Sequence, residues 1–220
     1  MLFLDRPDAG RRLATRLADI AGPDTIVLGL PRGGVPVALE VATALDAPLD
    51  VVLVRKLGSP LNPEYALGAI GAGGVRVVDR GAMRALGVTD HELEIIESRE
   101  CAELERRTAR FRGDRGALDL AGKTAIVVDD GIATGSTARA ACRIVREMGA
   151  SRIVLAVPVA PPDWISRIGD AADDFVCLAT PPHFVAVGQW YADFAQTTDD
   201  EVSAALATRA SADPPATRSD

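Results

Sequence analysis

The sequence predicts an α/β protein built on a doubly wound, mostly parallel sheet, and three features predict it. Short apolar runs recur along the 220 residues, helical patterns separate them, and the runs are nearly continuous in apolarity rather than alternating. Strands of that kind are covered on both faces, as in a parallel sheet between helical layers. Strand and helix taking turns along the chain is the pattern of βαβ units. With 48% hydrophobic and 25% charged residues, the chain can bury one sizeable core, placed here as a single domain over 1–206.

The expected strands are 25–28 (TIVL), 50–54 (DVVLV), 124–128 (TAIVV), 152–157 (RIVLAV) and 174–178 (DFVCL). A helix over about 36–45 starts at Pro36, which needs no amide partner there, and carries Val35, Leu39 and Ala42 on one stripe. Another follows Ser136 to about Met148 and stops at Gly149. Residues 55–89 are rich in Gly and Pro and read as a long loop containing a hairpin. A charged helix over about 90–112 has Leu93, Ile96, Leu104 and Phe111 at helical spacing and pairs Glu103 with Arg107. Together, 55–115 form a flexible loop and helix insertion, 180–197 a small hood, and 207–220 a disordered tail.

Composition narrows the function. The start, MLFLDRPDAGRR, has charges where a signal peptide needs an apolar stretch, and no uncharged run is long enough to span a bilayer. A cytoplasmic protein with no membrane partner is expected. The net charge of −7 argues against a broad nucleic-acid surface. Cys101, Cys142 and Cys177 are far apart and odd in number, so they read as reduced thiols. Only His91 and His183 are present, too few for a His-rich metal site.

The informative stretch is 125–137, AIVVDDGIATGST. It places Asp129 and Asp130 at the carboxyl end of a strand, where open α/β sheets bind ligands. The following TGST opens a helix, and a glycine-bearing turn at a helix N-terminus presents amides and a positive dipole end to phosphate. The hydroxyls of Thr134, Ser136 and Thr137 add donors. A phosphate on one side and an acid pair suited to vicinal hydroxyls, or to a divalent cation, describe a phosphorylated sugar. The loop has no lysine, so it is not a P-loop, and no GxGxxG follows the first strand.

At these residues the chain resembles the type I phosphoribosyltransferases, over roughly 20–180 in strand and loop order. The resemblance implies that Asp129 and Asp130 hold the ribose hydroxyls of phosphoribosyl pyrophosphate (PRPP). Ala133, Thr134, Gly135, Ser136 and Thr137 would take its 5-phosphate, with Mg²⁺ bound chiefly by substrate and water. Gly131 departs from the usual aliphatic or Ser residue, a change expected to lower rigidity only. Leu30-Pro-Arg-Gly-Gly34 matches the family's pyrophosphate loop, often a strained peptide, with charge from Arg32 and close approach at Gly33 and Gly34. Arg55 and Lys56 stand where a basic residue often contacts pyrophosphate, and the Gly-rich segment after them would be the mobile lid. Asp129, Asp130, Arg32 and Lys56 are the implied catalytic set.

A narrower likeness is to uncharacterised bacterial phosphoribosyltransferase-like proteins. It rests on FLDRPDAG at 3–10, RKLGSPLNPE at 55–64 and WYADFAQ at 190–196. The implied reaction displaces pyrophosphate from PRPP by a nucleobase or other small acceptor. Where 6-oxopurine enzymes carry an acid before the Thr-Gly pair this chain has Ala133, which argues against hypoxanthine and guanine. Phe184, Trp190 and Tyr191 are candidates for stacking on the acceptor, though the same rings would equally anchor the segment to the sheet, and His183 is a candidate proton carrier. Two other readings use the same pocket: a non-catalytic PRPP- or nucleotide-sensing regulator, and a hydrolase of PRPP or another phosphosugar. A homodimer is expected from the fold alone.

Overall fold

The computed structural model describes residues 2–60, 62, 65–113 and 115–209. Its main sheet contains β1 (Thr25–Gly29), β2 (Leu49–Val51), β6 (Thr124–Val128), β7 (Arg152–Val159) and β8 (Asp174–Ala179), in the order β2-β1-β6-β7-β8. Every pairing is parallel, with Gly29 beside Val128 and Val128 beside Ala156. Successive side chains point to opposite faces. Val27, Ile126, Val128, Val154 and Ala156 therefore meet α1 (Arg6–Leu17), α2 (Gly34–Ala44) and α7 (Asp199–Arg209). Ile26, Leu28, Ala125, Val127, Ile153, Leu155 and Val157 meet α5 (Ser136–Glu147) and α6 (Trp164–Ile168). This is the doubly wound arrangement expected.

The second expected strand divides. Val52 donates its amide to Gly29 O at 3.1 Å, and the chain then leaves the sheet. Val54 opens a separate antiparallel sheet of β3 (Val54–Gly58), β4 (Ala66–Gly71) and β5 (Arg76–Val78), followed by α3 (Arg80–Leu86). Most of the expected long loop at 55–89 is thus regular structure. Its glycines are points of close packing: a Cβ on Gly68 would run into the backbone of Val77, and one on Gly71 into Ile144 of α5. Glycine in a strand has that meaning as often as it marks a turn.

Helix α4 (Asp90–Arg112) has the expected span, and Thr89 with Glu92 forms a capping box at its start. Leu93, Leu104 and Phe111 are buried, Ile96 is half-buried, and Glu103 lies 3.5 Å from Arg107. In α2 the buried stripe is Val35, Ala38, Val41 and Ala42, while Leu39 is only half-buried. The helix begins two residues before Pro36, which remains in the first turn.

Helices α1, α3, α6 and α7 have no counterpart in the sequence reading. Helix α1 lies in the charged start, capped by Asp5, whose carboxylate accepts from the amide of Asp8 at 2.7 Å. Gly10 lets it lie on α2, since a Cβ there would sit 2.6 Å from Val37 O. Helix α7 begins beside Thr198, which exchanges hydrogen bonds with Glu201, and reaches Arg209. The first three residues of the expected tail are therefore helical, and 210–220 lie outside the described residues.

Candidate active site

Two loops meet at the carboxyl ends of β1 and β6. The amide of Leu30 donates to Val128 O at 2.8 Å, which sets the 30–34 loop beside the acids. A Cβ on Gly34 would sit 2.8 Å from Asp129 Cα, and one on Gly33 would overlap the Asp130 carboxylate. No larger residue permits this approach without displacing Asp130. The Pro31–Arg32 peptide is cis. Asp129 Oδ1 accepts the Asp130 amide at 2.9 Å.

The 133–137 turn leads directly into α5. Gly135 has φ +82 and caps α5, a left-handed conformation natural to glycine. Ala133, Thr134, Ser136 and Thr137 are exposed, and the Thr134 and Ser136 hydroxyls lie 3.1 Å apart. Arg167 of α6 donates to Ala133 O at 2.8 Å and pairs with Asp163 at 2.9 Å. Nothing in the sequence around Arg167 marks that role. Gly131 does more than loosen the loop: a Cβ there would meet Val187 at 2.6 Å, so glycine admits the hood segment against the acid loop.

Burial and the neighbouring Asp130 push the Asp129 carboxyl well above the usual carboxylate range. Burial also raises Asp130, against the pull of Arg6, which places Nε and Nη2 both at 2.8 Å from Asp130 Oδ2. Arg6 was not among the expected site residues. Its signal was present in the FLDRPDAG motif, but no spacing joined residue 6 to residue 130.

The expected cations have different settings. Arg32 is partly exposed, 3.5 Å from Asp199 at the start of α7, and the same carboxylate lies 2.7 Å from Arg110. Arg55 is bound to Glu100 of α4 at 2.7 Å, and Glu100 is buried, so this arginine ties β3 to α4. Lys56 is exposed on β3, opposite Ala69, and lines a groove with Pro60, Ile95 and Arg99. The acids, the 30–34 loop and the 133–137 turn come together, while Arg55 is engaged by Glu100 of α4.

The aromatic candidates anchor the hood. Tyr191 is 3% exposed, with its ring between Phe3 and Phe194 and its hydroxyl donating to Asp130 O at 2.6 Å. Burial pushes that phenol well above its ordinary value. It offers no open face to a base, which corrects the stacking role. Trp190 and Phe184 are half-buried and pack in the same cluster. His183 is exposed, and its carbonyl accepts from Gln189 at 3.3 Å. All three cysteines are free, and burial pushes the Cys142 thiol up to about 12, far from a nucleophile's range.

The acid pair, the 30–34 loop and the turn at the start of α5 thus gather at one sheet's carboxyl edge, and comparison with known proteins gives the chain a family. The phosphoribosyl transferase domain model matches residues 6–194, and the chain belongs to that family. Two strain versions of a Mycobacterium tuberculosis protein bearing a phosphoribosyl transferase name are 52% identical over 97% of the chain. The chain spans about half their length, 51%. An adenine phosphoribosyltransferase of Kineococcus radiotolerans is 32% identical over 74% of this chain and 91% of its own. The crystal structure of TT1426 from Thermus thermophilus superposes with a TM-score of 0.87 at 45% identity, covering 95% of this chain and 99% of that one. The fold is that of the type I phosphoribosyltransferases. Among the described residues, no helix is long and apolar enough to cross a membrane.

Proposed function

We propose that this domain transfers the phosphoribosyl group of PRPP to a small acceptor, releasing pyrophosphate. The observation that carries the reading is the juxtaposition of Gly33 and Gly34 with Asp129 and Asp130 at one sheet edge, beside an exposed cradle at the start of α5. The cradle amides and the Thr134, Ser136 and Thr137 hydroxyls take the 5-phosphate. The acids orient the ribose and favour the positive charge that develops on its ring as the bond from the anomeric carbon to pyrophosphate lengthens. The 30–34 loop receives the departing pyrophosphate through its backbone, and Arg32 adds charge once it exchanges Asp199 for the ligand. The acceptor's nucleophilic atom, usually a base nitrogen, then bonds to the anomeric carbon, and positioning supplies most of the rate.

Magnesium fits this arrangement as an ion carried by the substrate. Among the described residues, no group of three or more His, Cys, Asp or Glu side chains could hold it alone. Asp130 Oδ2 accepts from Arg6 and Asp129 Oδ1 from an amide, so the other two carboxylate oxygens are the ones that would serve the hydroxyls and the ion's water. When bound, Mg²⁺ would neutralise pyrophosphate charge. Adenine is the first acceptor to try, because Ala133 lacks the acid of the 6-oxopurine enzymes and the Kineococcus relative is named for adenine; uracil is the second.

The test is calorimetric titration of Mg–PRPP into the wild-type protein and the Asp129→Asn/Asp130→Asn double variant. Binding to wild type and its loss in the variant are expected, followed by acceptor-dependent pyrophosphate release. Absence of binding to wild type overturns the proposal. Binding without turnover favours the sensing reading, and pyrophosphate or phosphate release without acceptor favours the hydrolase.

A further inference from the structure

Two of the motifs outside the cradle and the pyrophosphate loop are residues 3–10 and 190–196. The structure brings both to Asp130. Asp5 caps α1 and so fixes Arg6 as the first residue of that helix. From there the Arg6 guanidinium donates through Nε to Asp130 Oδ2 and lies at the same distance through Nη2, 2.8 Å in each case. Its Nη1 donates to Ala195 O at 2.6 Å, and its Cζ lies 3.9 Å from the centre of the Phe194 ring. On the other side of the residue, Tyr191 donates to the Asp130 carbonyl. The segments also hold each other. Phe3 bridges to Tyr191, Ala192 donates its amide to Phe3 O and Asp193 to Leu4 O, both at 2.8 Å.

Asp130 is therefore gripped at its carboxylate and at its carbonyl by one assembly made from both motifs. The Arg6 side chain is 11% exposed and each of its nitrogens already has a partner within the protein. Its effect on the site is indirect. Two half-buried carboxylates side by side repel each other, and both also repel the phosphates of PRPP. A guanidinium on Oδ2 offsets one of those charges and holds the side chain so that Oδ1 is the oxygen left to the sugar.

We propose that Arg6 is the positioning residue of the acid pair: with Tyr191 and Phe194 it clamps Asp130 so that one carboxylate oxygen faces the ribose hydroxyls. The proposal rests on reading the site as a PRPP site. Near neutral pH the clamp supplies charge and geometry together, and the two separate by substitution. Arg6→Ala removes both, Arg6→Lys keeps the charge, and Phe194→Leu removes the ring beneath the guanidinium while leaving the ion pair.

The experiment titrates Mg–PRPP into these variants and the wild type, with and without millimolar guanidinium, and follows amide hydrogen exchange in the same proteins without ligand. Arg6→Ala is expected to weaken binding by about tenfold to hundredfold, the range for a hydrogen-bonded charge. Arg6→Lys should recover most of that loss, guanidinium should recover part of it in Arg6→Ala, and Phe194→Leu should show a smaller loss. Exchange in Arg6→Ala should quicken across 129–135. Unchanged affinity in Arg6→Ala, or a loss that neither lysine nor guanidinium relieves, overturns the proposal. If the wild type fails to bind PRPP, the functional reading falls by itself. The exchange measurement then decides the clamp: faster exchange at 129–135 in Arg6→Ala supports it, and unchanged exchange overturns it.

Discussion

At the scale of single residues, the site depends on which atoms are allowed to touch. Gly33 is the sharpest case, because a methyl group there would have to displace the Asp130 carboxylate from its pairing with Arg6. Gly33→Ala should weaken Mg–PRPP binding by about tenfold or more through the lost charge-assisted contact. The melting temperature should change little, since the residue sits in a partly exposed loop. Native PRPP affinity in Gly33→Ala would place the ribose away from Asp130. The acids and the TGST loop were legible because their chemistry lies in consecutive residues. Arg6 was not, for its partner is 124 positions away. The setting of Arg55 was likewise illegible, because its partner, the buried Glu100, lies 45 positions away on another element.

At the scale of elements, the five parallel strands were readable because burial on both faces leaves near-continuous apolar runs. The antiparallel sheet was not, because Gly-rich strands with one half-exposed face carry a loop's composition. What joins the insertion to the main sheet is a polar device. Asp50 in β2 accepts two bonds from Arg112 at the end of α4, both at 2.9 Å, and also accepts the Leu118 amide. Arg112 donates further to Val51 O at 2.9 Å. Both side chains are under a tenth exposed. Removing one member of such a pair strands the other in the core. Arg112→Ala should therefore lower unfolding free energy by about 3–5 kcal/mol, read by urea denaturation. A change under about 1 kcal/mol would show that water reaches Asp50 and that the pair is ornamental to stability.

At the scale of the molecule, α7 binds the machinery to the far end of the domain. Its Asp199 stands between Arg32 of the 30–34 loop and Arg110 of α4, and Arg209 at the other end donates to the carbonyls of Ala42 and Thr43 in the last turn of α2. A carboxylate between two guanidinium groups occupies an anion's place. Asp199→Ala should free Arg32, while Arg110 keeps its pairing with Asp200, and should tighten pyrophosphate binding by about threefold, the modest size expected of a partly exposed pair. Equal or weaker binding would mean that Asp199 orients Arg32 instead of competing for it. The clamp on Asp130 has a consequence of its own for how the protein is made. Arg6 reaches Ala195 across 189 positions of chain, and Phe3 reaches Tyr191. A chain emerging from the ribosome can form β1, α2 and β6, with the acids already in place, well before residue 194 exists. Contacts that distant close late, because a long loop must lose its freedom first. The acid pair thus becomes a finished site only after nearly the whole domain has been synthesised, so binding competence reports completed folding.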